Sequence, residues 1–318
     1  FRKAERDEPE TNSMNSAARS ILSILILISA AASVPAETFT VAIDVGHTKV
    51  SPGAISVTGK PEYEFNLRIA RKLEEALKSK PAGDPNTIRP FIISSEKPMS
   101  LERRTRLAAS NNADLFVSIH HDSAQDKYLK DRETDEGETQ KFTDRFSGYS
   151  IFVSKKNPRF EESFALARRI GQAMQKSKFT FARHHNEAIA GENRPIIDPD
   201  AGVYAFDDLV VLKTASMPAV LVECGVILNP KEEQDLLTSE RQATIVAAIV
   251  RGIRDYLGNA TIAPRVLPAE TVAPRVLPAE KVAPSRPTGG VIIETSTPSP
   301  SHYPKPGATP SPSPPRGN

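Results

Sequence analysis

Residues 39–94 carry the run FTVAID (39–44), the segment EYEFNLRIARKLEEALKS (62–79) and the run PFIIS (90–94), in that order. The two short runs are rich in β-branched and aromatic residues, as strands are. The segment between them spaces Leu67, Ala70, Leu73 and Leu77 three or four residues apart, which gathers them on one face of a helix. The alternation continues outward. A helix is expected over roughly 100–113, strands at LFVSI (115–119) and GYSIFVS (148–154), a helix over about 159–177 and a strand at AVLVE (219–223). The last helix is expected to start at Ser239, with its hydroxyl capping the first turn while Gln242 reaches back, and to bury Ile245, Ile249, Ile253 and Leu257. Strands alternating with helices predict an α/β fold, here a single three-layer domain with a mostly parallel twisted sheet covered by helices on both faces.

Two stretches break the rhythm. Residues 123–147 are crowded with charge, and 183–208 mix His184, His185, Gly191, Pro195 and Pro199 without a period. Connections of that length inside a domain are lids, partner-binding loops or disorder.

The ends of the 318-residue chain differ from its middle. Of 27 prolines, 14 fall in residues 259–318, and the apolar run ILSILILISAAA occupies 21–32. Cationic against acidic side chains number 4 and 4 in residues 1–36, 31 and 32 in 37–258, and 6 and 3 in 259–318, so the formal charge of +2 comes from the tail. The central zone therefore has no concentration of positive charge for a phosphate backbone, and nucleic acid is not an expected partner. No apolar run reaches the roughly 20 residues of a spanning helix, which excludes a polytopic membrane protein.

Met14, the single cation Arg19, the apolar run and the small residues ending Val34-Pro35-Ala36 follow the order of a secretory signal peptide, Met14 to Ala36, cleaved after Ala36. The charged residues upstream of Met14 do not fit such a signal, and an uncleaved anchor is the alternative. After cleavage no stable membrane span is expected. Export leads to an oxidising compartment, yet Cys224 is the one cysteine, so residues 37–258 must be held by a core, for which 222 residues suffice. Beyond Gly258, APRVLPAE stands at 263–270 and 273–280, and a third ten-residue unit begins at Val282. Residues 259–318 read as a Pro-rich disordered tail, with a tether or a protein-binding strip as the alternatives.

Four side chains suited to chemistry lie at element ends. His47 follows the first strand, Glu62 opens the first helix, His120 ends the third strand and Glu223 ends the last. In an open α/β sheet the carboxyl ends of strands line a shared crevice. Two imidazoles and a carboxylate are the ligand set of a catalytic zinc site, leaving the second carboxylate for proton transfer. On spacing alone, hydrogen-bonded structural histidines explain the same pattern.

The surrounding blocks narrow this reading. Asp44-Val45-Gly46-His47, Pro52-Gly53-Ala54, Glu62 five residues before Leu67, Arg104 to Ala108, ADLFVSIHHD (113–122) and PAVLVECGVILNPKEEQDL (218–236) resemble, in content and order, the zinc-dependent N-acetylmuramoyl-L-alanine amidases of the amidase 3 type. The resemblance covers about residues 39–257. It implies His47, Glu62 and His120 as ligands of one Zn2+ ion and Glu223 as the catalytic carboxylate. It also implies cleavage of the amide between N-acetylmuramic acid and the L-alanine of the stem peptide, with peptidoglycan as substrate and the bacterial periplasm as location. Family members used in division are held off by an inserted element and released by partners, so an activator protein is expected to act at 123–147 or 183–208. The chain departs from the pattern at Thr48 and Lys49, where Gly-Gly is usual, at Ala109 for Asn and at Tyr63 for Lys; Glu64 is a rival to Glu62.

Several residues keep two readings. Asp44 is either an acceptor for the His47 ring or a strand-end cap. His121 alternates with His120 and should face away from it. Arg104, with Arg103 and Arg106, either meets substrate carboxylates or is a solvated charge. His184 and His185 read as an exposed pair, with contact to substrate or a second metal as the alternatives. Cys224 reads as a small buried hydrophobe rather than a nucleophile. A zinc peptidase cutting within the stem, and a non-catalytic wall-binding scaffold of this fold, are the competing functions.

Overall fold

The computed structural model describes residues 36–133, 137 and 139–259. The expected signal segment before Ala36 and the Pro-rich repeats lie outside them. The elements are β1 (Thr38–Val45), α1 (Glu62–Lys78), β2 (Thr87–Ile93), α2 (Leu101–Ser110), β3 (Leu115–Asp122), β4 (Lys130–Glu133), β5 (Thr139–Phe142), β6 (Ser150–Val153), α3 (Phe160–Lys176), β7 (Ile196–Asp198), β8 (Val203–Ala205), α4 (Val210–Lys213), β9 (Ala219–Val226), α5 (Pro230–Leu237) and α6 (Ser239–Asn259). Seven strands make one sheet in the order β2-β1-β3-β9-β6-β8-β7. Neighbours from β2 to β9 are parallel, as are β6 and β8, while β6 is antiparallel to β9 and β7 to β8. This is the α/β architecture the sequence predicts.

Strand alternation sends side chains to two separate layers. Val41, Ile43, Val117, Ile119, Val220 and Val222 pack onto Ile69 and Leu73 of α1, Ile170 of α3 and Ile249 of α6. Ala42, Phe116 and Leu221 face the other way, onto Ala108 of α2 and Leu212 of α4. Helices α1 and α2 thus cover opposite faces, and the strands they lead to, β2 and β3, flank β1 on opposite sides. The chain reverses direction across the sheet at β1, so a crevice opens where β1 and β3 end. His47 and His120 come from those two ends.

A buried ion pair anchors that point. Arg104 of α2, only 2% exposed, donates from Nη1 to Asp44 Oδ1 at 2.7 Å and to the Val45 carbonyl, and from Nη2 to the His47 carbonyl. Ser118 of β3 donates to the other Asp44 oxygen at 2.7 Å. Arg104 is therefore a buried anchor of the β1 end rather than a solvated charge, and Asp44 takes its bonds from Arg104 and Ser118 rather than from the His47 ring. Asp44 bears on the site through the backbone of residues 45–47.

Elsewhere the structure amends the reading of the sequence. Helix α6 is capped one residue earlier than expected: Thr238 Oγ1 accepts from the Arg241 amide at 3.2 Å, and Gln242 sends its side chain to the Leu236 carbonyl instead. The charged insert holds the β4/β5 hairpin, and the aperiodic stretch supplies β7 and β8. Strands of three or four residues are too short to show a period. No helix among the described residues is long and apolar enough to cross a membrane.

Two stability outcomes follow. Helices α3 and α6 meet where a Cβ on Gly252 would lie 2.4 Å from the Ile170 Cα, whereas one on Gly258 would meet nothing within 4 Å. A glycine inside a helix costs about 0.5–1 kcal/mol relative to alanine. Gly258→Ala should therefore be neutral or stabilising in urea denaturation, while Gly252→Ala should lose about 1–3 kcal/mol by overpacking. Arg104→Ala strands a carboxylate that is 1% exposed, so the same assay should show a loss of about 3–5 kcal/mol.

Candidate metal centre

His47 is the first residue beyond the reach of the sheet, and its backbone lies in the left-handed region at φ 67°. A non-glycine residue held there costs about 1–3 kcal/mol. The Arg104 bond to its carbonyl and the bond from the Thr48 amide to Ser51 O at 3.1 Å keep it in place. Thr48 and Lys49, where the family pattern has a glycine pair, do not take a positive φ; His47 before them does.

Glu62 begins α1, where the positive end of the helix dipole favours a carboxylate. Its Oε2 lies 2.8 Å from His47 Nε2 and accepts from the Ala54 amide at 3.2 Å. Its Oε1 lies 3.0 Å from His120 Nδ1 and accepts from Asn66 Nδ2 at 3.0 Å. Burial works against its charge, but the His47 and His120 imidazoles outweigh that and hold its carboxyl well below the usual range. Burial likewise opposes charging of His47, and the Glu62 carboxylate reverses it, so His47 is raised. Glu64, by contrast, is exposed and stands outside the cluster.

Space for the rings comes from missing side chains. A Cβ on Gly46 would fall 2.4 Å from His120 Nε2, and one on Gly53 2.4 Å from Glu62 Oε2. One nitrogen each from His47 and His120 and one Glu62 oxygen lie within 4.8 Å of one another. Tetrahedral donors at about 2.0–2.2 Å from zinc stand roughly 3.3–3.6 Å apart, so only a small opening of the observed contacts admits an ion. The His47 side chain is 32% exposed and His120 19%, against 6% for Glu62, so the cluster opens to solvent on its imidazole side.

Glu223 is the residue of β9 directly opposite His120 of β3. Its Oε2 is sealed from solvent with no hydrogen-bond partner. Burial first, then the charges of Asp122 and Glu62, push its carboxyl well above the usual range. A buried carboxyl oxygen without a hydrogen-bond partner, beside three metal-type donors, fits a site built for a ligand rather than for packing. Cys224, next along β9, is buried on the opposite layer, and burial raises its thiol beyond reach of easy ionisation.

His121 is 2% exposed and points away from the cluster, against the Phe65 ring, with Nδ1 at 2.8 Å from Asn66 Oδ1. Burial drives its titration down to about 3, so it stays neutral. Asn66, which also donates to the Gly46 carbonyl at 3.2 Å, thus joins Glu62, His121 and the end of β1. No reading of the sequence singled it out, although it lies one helical turn beyond Glu62. Glu232 was also missed. It takes the Gly148 and Val226 amides at 2.9 Å and ties α5 to the end of β9. His184 and His185 depart most from expectation. They are 6% and 8% exposed, beneath Phe146 and Phe152, because residues 183–208 fold back over the end of β3.

Comparison with known proteins identifies the family. Residues 41–255 match the family model described as N-acetylmuramoyl-L-alanine amidase (Amidase_3). The N-acetylmuramoyl-L-alanine amidase AmiA of Escherichia coli K12 is 29% identical over 241 residues, covering 68% of this chain and 75% of AmiA. The crystal structure of an N-acetylmuramoyl-L-alanine amidase from Clostridium difficile 630 superposes with a TM-score of 0.52 at 25% identity, over 70% of this chain and 98% of that one. The catalytic domain of CwlV from Bacillus (Paenibacillus) polymyxa var. colistinus gives 0.51 at 25% identity, over 69% and 98%. With its fold, its clustered donors and a family match over residues 41–255, the chain belongs to the N-acetylmuramoyl-L-alanine amidase family, enzymes that act on peptidoglycan.

Proposed function

We propose that the protein is an exported, zinc-dependent peptidoglycan hydrolase that cuts the amide between N-acetylmuramic acid and the L-alanine of the stem peptide. The observation that carries this reading is the buried, unpartnered Glu223 oxygen beside the imidazole and carboxylate donors of His47, Glu62 and His120. Those three would hold the ion, and when bound it would supply Lewis acidity, polarising the amide carbonyl and making a water more acidic. His47 and His120 contribute neutral nitrogens, so the site keeps net positive charge with Glu62 as its one anion.

Glu223 would do the proton work. Its raised carboxyl lies nearer neutrality than an exposed glutamate, which suits a group that accepts a proton from water and returns it to the departing amine. Arg104 and Asp44 would act as positioning residues for His47, and His121 as a neutral prop acting through Asn66. Export to the periplasm rests on the signal-like order of Met14 to Ala36. The two irregular segments support a partner surface: Gln125 donates to Glu192 at 3.2 Å and to the Ala190 carbonyl at 3.0 Å, and Arg145 to Glu187 at 2.9 Å. An activator protein engaging either 123–147 or 183–208 would act on both.

Digestion of purified peptidoglycan by the zinc-loaded protein, read by mass spectrometry, should release intact stem peptides and leave unsubstituted glycan. Cut stems would instead indicate a peptidase, and an absence of products a scaffold. Glu223→Ala should keep its zinc and lose roughly 10²–10⁴-fold in rate, whereas His120→Ala should lose zinc and rate together. Equal zinc loss in the two variants would contradict the division of roles.

A further inference from the structure

A second cluster of metal-type donors lies just past the first. Asp122 ends β3 two residues beyond His120, and its Oδ2 lies 2.9 Å from His184 Nε2 and 2.9 Å from His185 Nε2. One donor atom from each of the three falls within 4.8 Å of the others, and all three residues are buried. The contacts are not equivalent. His185 Nε2 meets Asp122 as a hydrogen bond, but His184 approaches the same oxygen without hydrogen-bond alignment, so both of its ring nitrogens are buried and unpartnered. An imidazole 4% exposed with no partner for either nitrogen is rare in a finished core.

The surroundings are built as the second layer of a metal site is built. His185 Nδ1 lies 2.9 Å from Glu192 Oε2, the carboxylate behind an imidazole that orients its other nitrogen toward a metal. Glu192 is in turn held by Gln125 Nε2 at 3.2 Å. Asp122 Oδ1 takes the Ser123 amide at 2.7 Å, leaving Oδ2 to face the two rings. The ring of His184 stacks on Phe146 with centroids 4.5 Å apart, which fixes its plane.

We propose that Asp122 Oδ2, His184 Nε2 and His185 Nε2 form a second site for a divalent transition metal of the zinc class, separate from the His47/Glu62/His120 centre. Imidazole with a single carboxylate suits zinc and its neighbours and is a poor set for calcium or magnesium, which take oxygen donors. The ion would replace a hydrogen bond and an unpartnered ring with three bonds. It would clamp residues 184–192 to the end of β3.

The test is metal stoichiometry on the full chain, stripped, reloaded with zinc, desalted and measured by inductively coupled plasma mass spectrometry. The wild type should hold two zinc ions, His184→Phe and Asp122→Asn one each, His120→Ala one, and the combined His120→Ala and His184→Phe variant none. Phenylalanine keeps the stack on Phe146, and circular dichroism confirms that each variant is folded; a variant that is not is replaced by His185→Gln. A wild type with one ion that survives His184→Phe and vanishes in His120→Ala overturns the proposal. One ion with the opposite pattern supports it and overturns the first centre instead. Cobalt substitution gives a second readout: His184→Phe should remove about half of the visible absorption of the wild type, and an unchanged spectrum counts against the site.

Discussion

A guanidinium sealed inside the protein sets the geometry of everything around the cleft. Arg104 turns its Nη donors to Asp44 and to the Val45 and His47 carbonyls at the end of β1, and Asp44 takes its remaining bond from β3. Taking two charges out of water is expensive, and an apolar pair of the same volume would serve stability as well or better. What an apolar pair could not do is grip carbonyl oxygens. The pair fixes where β1 stops and β3 begins to diverge, and so fixes the separation of the two imidazoles that project from those ends.

Electrostatics then divides the carboxylates of the cleft. Glu62 is surrounded by donors on both oxygens and is stabilised as an anion. Glu223, across the β3/β9 pairing, lies in the field of Asp122, Glu62 and Glu192 and has an oxygen with no donor. The two environments push the proton affinities of carboxyls in one cleft in opposite directions. The division is produced by register: His120 and Glu223 are paired residues on adjacent parallel strands, so neither can shift without the other.

The fold was legible in the sequence because its central strands and long helices each bury a full face. FTVAID, LFVSI and AVLVE all became strands longer than the runs that announced them, and Ile245, Ile249 and Ile253 lie on the buried side of α6. The donors His47, Glu62 and His120 were legible as a set only because family blocks surround them; strand-end position alone would not have separated them from His121. The readings that failed share a cause. His184 and His185 sit in a stretch with no period, and their burial is decided by Phe146 and Phe152, more than 30 residues away, and by Tyr204 at the other end of the same stretch. Asn66 and Arg104 resemble ordinary polar helix residues until the chain is folded around them.

Gly46 and Gly53 are described above as room for rings, but they also act as a constraint on what the family pattern can mean. Each sits where a single added carbon would occupy the volume of a donor atom. A descendant could keep every histidine and glutamate of the pattern and still be unable to bring them together, if either position gained a side chain. Two hydrogen atoms are therefore as much a part of the chemistry as the nitrogens and oxygens they make way for, and a search for silent, inactive relatives is better begun at these glycines than at the donors.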